Sequence, residues 1–306
     1  MAYNIYDSDI SGGILMKTIN SRLFILLFIL SFSIFGKTTI RISVPEEEFY
    51  SRNSYYIELL KLVLDKTTKK YGSYKIINND KYIPQNRYSN FLGEGPNSID
   101  IMWTMTNIDR EKLMLPVRIP LLKGLMGCRL IIINKDNKNL FGKINNVNDL
   151  KKLTAVQGHD WPDTDILIHN KFKVEKATNY EGMFKMIEYG RGDYFPRAIN
   201  EPYEELKLRP DLNLMVDEKI MLFYFSPIFF FVDIKNIALH DRIEEGLNMA
   251  IKDGSFDKFF YNHPSVKTAL SKVNFKNMKI FELENPYLTE ETKKLLNKKE
   301  YILKIK

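Results

Sequence analysis

Apolar and polar positions alternate with period two at the start of the ordered-looking chain, Ile40, Ile42 and Val44 against Arg41 and Ser43, which predicts a strand. Ile57, Leu60 and Leu64 then recur at helical spacing and predict a helix over about 54–71, closed by Gly72. Short strands follow around 74–77 and over 98–104 (SIDIMWT), and the unbroken run GCRLIIIN at 127–134 predicts a strand buried on both faces. The second half repeats the rhythm: strand 154–157, helix from about Asp163, strand near Val174, helix 180–189 and strand 193–197. KIMLFYFSPIFFFVD, 219–233, is apolar and aromatic apart from Ser226 and Pro227 near its middle. Leu239, Ile243, Leu247 and Ile251 then march at i+4 spacing, with Arg242, Glu244 and Glu245 on the other side and Gly254 as a left-handed stop. Strand and helix alternate throughout, which predicts an α/β class with largely parallel sheets.

Composition changes this picture mainly at the ends. Lys17 and Arg22 precede a thirteen-residue apolar run from Leu23 to Phe35, followed by Gly36, the layout of a secretory signal peptide. Thirteen residues fall short of the ~20 that span a bilayer, so a mature, periplasmic protein beginning near Lys37 is expected, with an uncleaved membrane anchor as the alternative. The net charge is +7, partly from six lysines against three glutamates over 288–306, expected to be a solvated basic tail. No groove-like interleaving of basic and aromatic residues points to nucleic acid. The one cysteine, Cys128, lies in the apolar run and reads as an inert strand thiol with no disulfide partner.

Catalytic signatures are missing: there is no G-x-S-x-G elbow, no phosphate-binding G-x-x-x-x-G-K and no H-E-x-x-H, and the four histidines are scattered. No cofactor and no metal site is expected. His159 beside Asp160 is the nearest approach to a metal pair, and loop solvation explains it as well.

From Thr38 to about Pro286 the order of motifs resembles the extracellular solute-binding proteins of family 3, the type II periplasmic binding proteins that serve ABC transporters. The stretches carrying the resemblance are IRISVP, DIMWTMTNIDREKLMLPVRIPLLKGLMGCRLIIINK, NNVNDLKKLTAVQGHDWPD, YEGMFKMIEYGRGDYFPRA and IEEGLNMAIKDGSFDKFF. The resemblance implies a two-lobed α/β fold with a cleft between lobes joined by two crossing segments, near 123–129 and 224–232. Lobe 1 would comprise 37–127 and 224–287, and lobe 2 would comprise 128–223, after an extension and signal peptide at 1–36. Pro227, in the second crossing, needs an edge or bent position because it has no N–H.

The same resemblance nominates cleft residues. A threonine and a following arginine hold the solute carboxylate in the family, and MWTMTNIDR supplies Thr106 and Arg110, with one more intervening residue than usual; Arg110 as an exposed helix residue beside Glu111 is the alternative. Trp103 and Trp161 are amphipathic platforms for a ligand face, with core packing the alternative for Trp103. The helix after Pro162 would aim N–H groups at the cleft. Where amino-acid-binding members present an aspartate to the solute ammonium, this chain has Phe195, Pro196 and Arg197. That reversal points to an acidic or acceptor-rich solute, unless Arg197 is solvated or neutralised by Glu201. Arg118 is a further candidate, with a lobe–lobe salt bridge as its alternative. The expected function is capture of a small solute by lobe closure, by a monomer that hands it to an ABC permease. A sensory module reporting to a membrane partner, and an enzyme built on the same fold, are the competing expectations.

Overall fold

Strand β1 (Thr38–Ile42) buries Ile40 and Ile42 and pairs in parallel with β2 (Tyr74–Asn78), the two being joined by the helix Ser54–Tyr71. This is a computed structural model, and it describes residues 37–44, 53–79, 83, 85–95 and 97–303. The signal-peptide expectation for 1–36 lies outside the described residues. Among the described residues no helix is long and apolar enough to cross a membrane.

The helix Ser54–Tyr71 buries Tyr55, Tyr56, Ile57, Leu59, Leu60, Val63 and Leu64, and Gly72 ends it at φ 80°. The helix Ile237–Lys252 lies against it so closely that a Cβ on Gly246 would fall 2.5 Å from the Val63 carbonyl oxygen. Arg242 departs from expectation: it is buried, with Nη2 donating to the Gly72 carbonyl at 2.8 Å and Nε to Thr67 Oγ1 at 3.2 Å. A cation turned onto the end of a neighbouring helix meets the negative pole and the unpaired carbonyls there, which a solvent-facing position would forgo.

Three further strands, β3 (Ile101–Met105), β4 (Leu115–Val117) and β10 (Ile228–Val232), form an antiparallel sheet in the order β3-β10-β4. The largest sheet combines β5 (Cys128–Asn134), β6 (Thr154–Gly158), β7 (Lys173–Ala177), β8 (Tyr194–Ala198), β9 (Leu214–Phe223) and β11 (Lys279–Glu282) in the order β11-β9-β5-β8-β6-β7. The sheets are therefore mixed, not largely parallel: β5 runs antiparallel to both β8 and β9. The reason is topological, since β5 carries the chain away from the first crossing and β9 carries it back. β5 is buried over Cys128–Ile133, as a strand covered on both faces must be.

The apolar run 219–233 is two strands with an extended link, Tyr224–Pro227, between them. Pro227 thus stands outside both ladders, where its missing N–H costs no pairing, and its carbonyl accepts from the Thr106 amide at 3.0 Å. The strand β11 joins the six-stranded sheet, whereas the sequence placed all of 224–287 with the other lobe. The C-terminal stretch is also not a solvated tail over its described length, because Leu288, Thr292 and Leu295 are buried.

Candidate functional site

Between the three-stranded and six-stranded sheets lie two adjoining chambers that share Asn53, Tyr88, Trp103 and Trp161 in their walls. Their volumes, about 70 Å3 and 110 Å3, leave room for several water-sized groups each, the scale of a small molecule. Trp103 enters from β3, stacked on Tyr56 (centroids 5.6 Å, 23°) and donating from Nε1 to Asn53 Oδ1 at 2.9 Å. Trp161 enters from the opposite side, just before the helix Pro162–His169, and stacks on Phe195 (6.2 Å, 24°). Gly158 makes that position available, since a Cβ there would sit 2.6 Å from the Trp161 ring.

The floor of the larger chamber is charged. Arg197 is only 4% exposed, and its guanidinium grips Glu205 through Nε at 2.9 Å and Nη2 at 2.6 Å, with Glu201 at 3.0 Å. It also lies 5.0 Å from the ring centres of Trp161 and Phe195. Burial works against its charge, but the two carboxylates outweigh that and hold its pKa well above the ordinary arginine value. Arg129, from β5, is equally buried: Nη2 reaches Asp163 at 2.7 Å, Nη1 stands 3.9 Å from Glu201, and Nε has no hydrogen-bond partner among the described residues. The Tyr224 hydroxyl donates to the same Asp163, and its ring lies under Arg129 at 5.6 Å. Glu205, Arg197, Glu201, Arg129 and Asp163 thus form a row of alternating sign with a formal charge of −1. Buried ions in such a row are mutually necessary, because removing one strands its neighbours in a low dielectric.

The six residues nominated from sequence fall into two groups. Trp103, Trp161 and Arg197 line the chambers. Arg197 is neither solvated nor an unspent cation, which removes the main argument for a net acidic solute. Thr106, Arg110 and Arg118 are not in the walls. Thr106 is 1% exposed and donates to Glu111 at 2.6 Å, and Arg118 pairs with the same carboxylate at 2.8 Å. Glu111 is a buried acceptor that draws in donors on every side, so these two serve the packing of the helix Ile108–Leu113. Arg110 is turned inward to the Met105 carbonyl at 2.8 Å, and Nη2 reaches across to the Asp160 carbonyl at 3.4 Å. Burial lowers its guanidinium to about 10, still charged at neutral pH.

Sequence reasoning missed Arg129, Asp163 and Glu205. One signal was available: an arginine inside an otherwise apolar run of a doubly covered strand must have a buried counter-charge.

No protein-family model matches the chain, and no curated protein matches it. Solved structures do. An ancestral arginine-binding protein bound to glutamine matches at 20% identity with a TM-score of 0.56, covering 75% of this chain and 99% of that one. An ancestral amino-acid-binding protein described as a precursor of cyclohexadienyl dehydratase matches at 18% identity and TM-score 0.52, over 72% and 93%. A periplasmic binding protein of Salmonella typhimurium, described for its high arginine specificity, matches at 14% and 0.51, over 72% and 97%. The chain has the two-lobed α/β fold of type II periplasmic binding proteins.

Proposed function

We propose that the protein is a periplasmic solute-binding protein that captures a small polar solute by lobe closure and delivers it to an ABC-type permease. One observation carries this: two aromatic platforms, Trp103 and Trp161, come from opposite sides of a cleft whose floor is a row of buried charges. Platforms on separate bodies give a ligand the differential contacts that favour the closed state over the open one. The lobes in this proposal divide at 127/128 and 223/224, with β11 added to the second, as the strand pairings support.

The solute in this proposal is acceptor-rich and neutral or zwitterionic. Arg129 and Arg197 offer donors, but the carboxylates around them cancel their field, so a net anion gains little. Among the described residues no histidine or cysteine lines the chambers, and Cys128 is buried in the strand, which argues against the enzyme reading.

A thermal-shift screen of the purified protein against amino acids, polyols, sugars and carboxylates tests this. A solute that binds only the folded state raises Tm, and the rise should vanish in Trp161→Ala. A panel-wide absence of shifts, or a shift untouched in Trp103→Ala and Trp161→Ala, would count against the cleft. Capture of a permease from solubilised membranes separates the transport reading from a sensory one.

A further inference from the structure

The C-terminal stretch passes behind the cleft and is fastened on both sides of it. At β11 the chain pairs with β9, from Lys279 opposite Ile220 to Glu282 opposite Phe223. Next, the Asn170 side-chain amide donates to the Glu284 carbonyl at 2.7 Å and Asn170 Oδ1 accepts from the Glu284 amide at 3.1 Å. The Tyr287 ring stands edge-on to His169 at 6.2 Å. Residues 169 and 170 end the helix Pro162–His169, whose other end brings Trp161 and Pro162 to the larger chamber.

The chain then changes sides. The Ile108 amide donates to the Tyr287 carbonyl at 2.9 Å, and the Thr289 and Thr292 hydroxyls donate to Glu111 at 2.9 and 2.6 Å. Leu288 and Leu295 are buried in one cluster with Met114, Phe229 and Phe231, beside the three-stranded sheet. Both crossings are touched as well: Asn285 donates to the Phe225 carbonyl at 2.9 Å, and the Leu303 amide donates to the Lys123 carbonyl at 2.8 Å.

We propose that residues 279–303 are a third connection between the lobes, a strap clipped to the end of the helix Pro162–His169 at Asn170 and to the helix Ile108–Leu113 at Glu111, which holds the cleft towards its closed arrangement. Across the cleft the helix Ile108–Leu113 approaches the turn that leads into the other, where Arg110 reaches the carbonyl of Asp160, two residues before Pro162. Opening the cleft must move them apart. Only three residue steps separate Glu284 from Tyr287, a span that extended backbone limits to about 11 Å, so the strap has little slack and a wide opening has to release one clip. Each clip holds two side-chain hydrogen bonds. Losing one clip should therefore raise the open-to-closed ratio by about tenfold.

The strap rests on the two-lobed fold and not on any solute, so its test uses none and can fail independently of the proposed function. Leu113 and Tyr189, both strongly exposed, are replaced by cysteine for spin labelling, while the buried Cys128 stays unlabelled. Distances are then measured by pulsed electron paramagnetic resonance in the full chain. Asn170→Ala releases one clip, and Thr289→Val with Thr292→Val releases the other. Both variants should move the distribution to longer separations by similar amounts, with circular dichroism unchanged. Should the double variant not fold, Thr289→Val alone, at a half-buried site, takes its place. An unchanged distribution in either variant overturns the proposal: β11 and the buried Leu288 and Leu295 keep the strap attached in both, so what each clip must supply is the limit on its slack.

Discussion

Gly127 and Tyr224 touch where the two crossing segments pass each other: the Tyr224 amide donates to the Gly127 carbonyl at 3.2 Å, and a Cβ on Gly127 would fall 2.1 Å from the Tyr224 carbonyl oxygen. The same Tyr224 sends its hydroxyl to Asp163 beside the larger chamber. Backbone contact at the crossing and side-chain contact at the cleft floor therefore meet in one residue.

Gly127→Ala should consequently destabilise the protein by about 1 to 3 kcal/mol, the usual range for overpacking against backbone that has no room to retreat. Calorimetry of the unliganded protein checks it. A Tm equal to that of the parent would show that the crossings separate freely.

Arg197→Ala removes a buried cation from between Glu201 and Glu205. The unliganded protein should lose about 3 to 5 kcal/mol, because the 4%-exposed Glu205 side chain is left with an uncompensated charge. In urea unfolding, Arg197→Met combined with Glu205→Leu should recover part of that loss. An additive result would mean the pair is not coupled.

Glu111 gives the protein a specific acid sensitivity. Burial pushes its carboxyl up, but hydrogen bonds from Thr106, Thr292, Arg118 and Thr289 more than offset this and hold it below the usual carboxylate range. A depressed folded-state pKa contributes stability that is complete above the unfolded value, roughly 4.3, and is lost as pH falls through the folded value. The stability gap between the parent and Glu111→Gln should therefore be wide at pH 6 and narrow steadily below about pH 4. Parallel melts across that interval would contradict the assignment.

Gly158→Ala should act on binding more than on folding. The added methyl meets the Trp161 ring at 2.6 Å, and a side chain at the rim of a chamber is free to swing away where a backbone is not. For a solute found by the thermal-shift screen, titration calorimetry should show affinity reduced about tenfold or more, with circular dichroism preserved. An affinity within about twofold of the parent would remove Trp161 from the proposed contact surface.

Cys128 should be chemically silent. Burial pushes its thiol up to about 12, with Arg129 next to it opposing the shift only in part. Thiolate-directed reagents at pH 8 should leave the native protein unmodified and label it after urea unfolding. Rapid native labelling would show that the first crossing opens.

What was legible in the sequence follows from where each signal is stored. The period-two and period-3.6 patterns that made β1, the helix Ser54–Tyr71 and β5 recognisable are local, and the structure has those elements where the pattern put them. Strand direction is not local, so the antiparallel placement of β5 between β8 and β9 was missed. The charged residues divided in the same way. Trp161 in its polar setting was found at the chamber wall, but Arg197 was judged without Glu205, a partner eight positions on that only the turn into the helix Pro202–Lys207 brings back. Arg118 and Thr106 were drawn off by Glu111, a near neighbour whose pull on both was visible only once its burial was known.

Pro196, in the middle of β8, has a further result. Without an amide hydrogen to give, β8 keeps a single register pair with β6, Ala155 opposite Tyr194, and farther along the Gln157 side chain reaches the Pro196 carbonyl at 3.2 Å. The large sheet is thereby two ribbons, β11-β9-β5-β8 and β6-β7, joined by one register pair and a few flanking hydrogen bonds, and the wall bearing Gly158 and Trp161 hangs from the smaller. A substitution in β6 or β7 that reshapes this wall therefore leaves the ladders of the broader ribbon uncut.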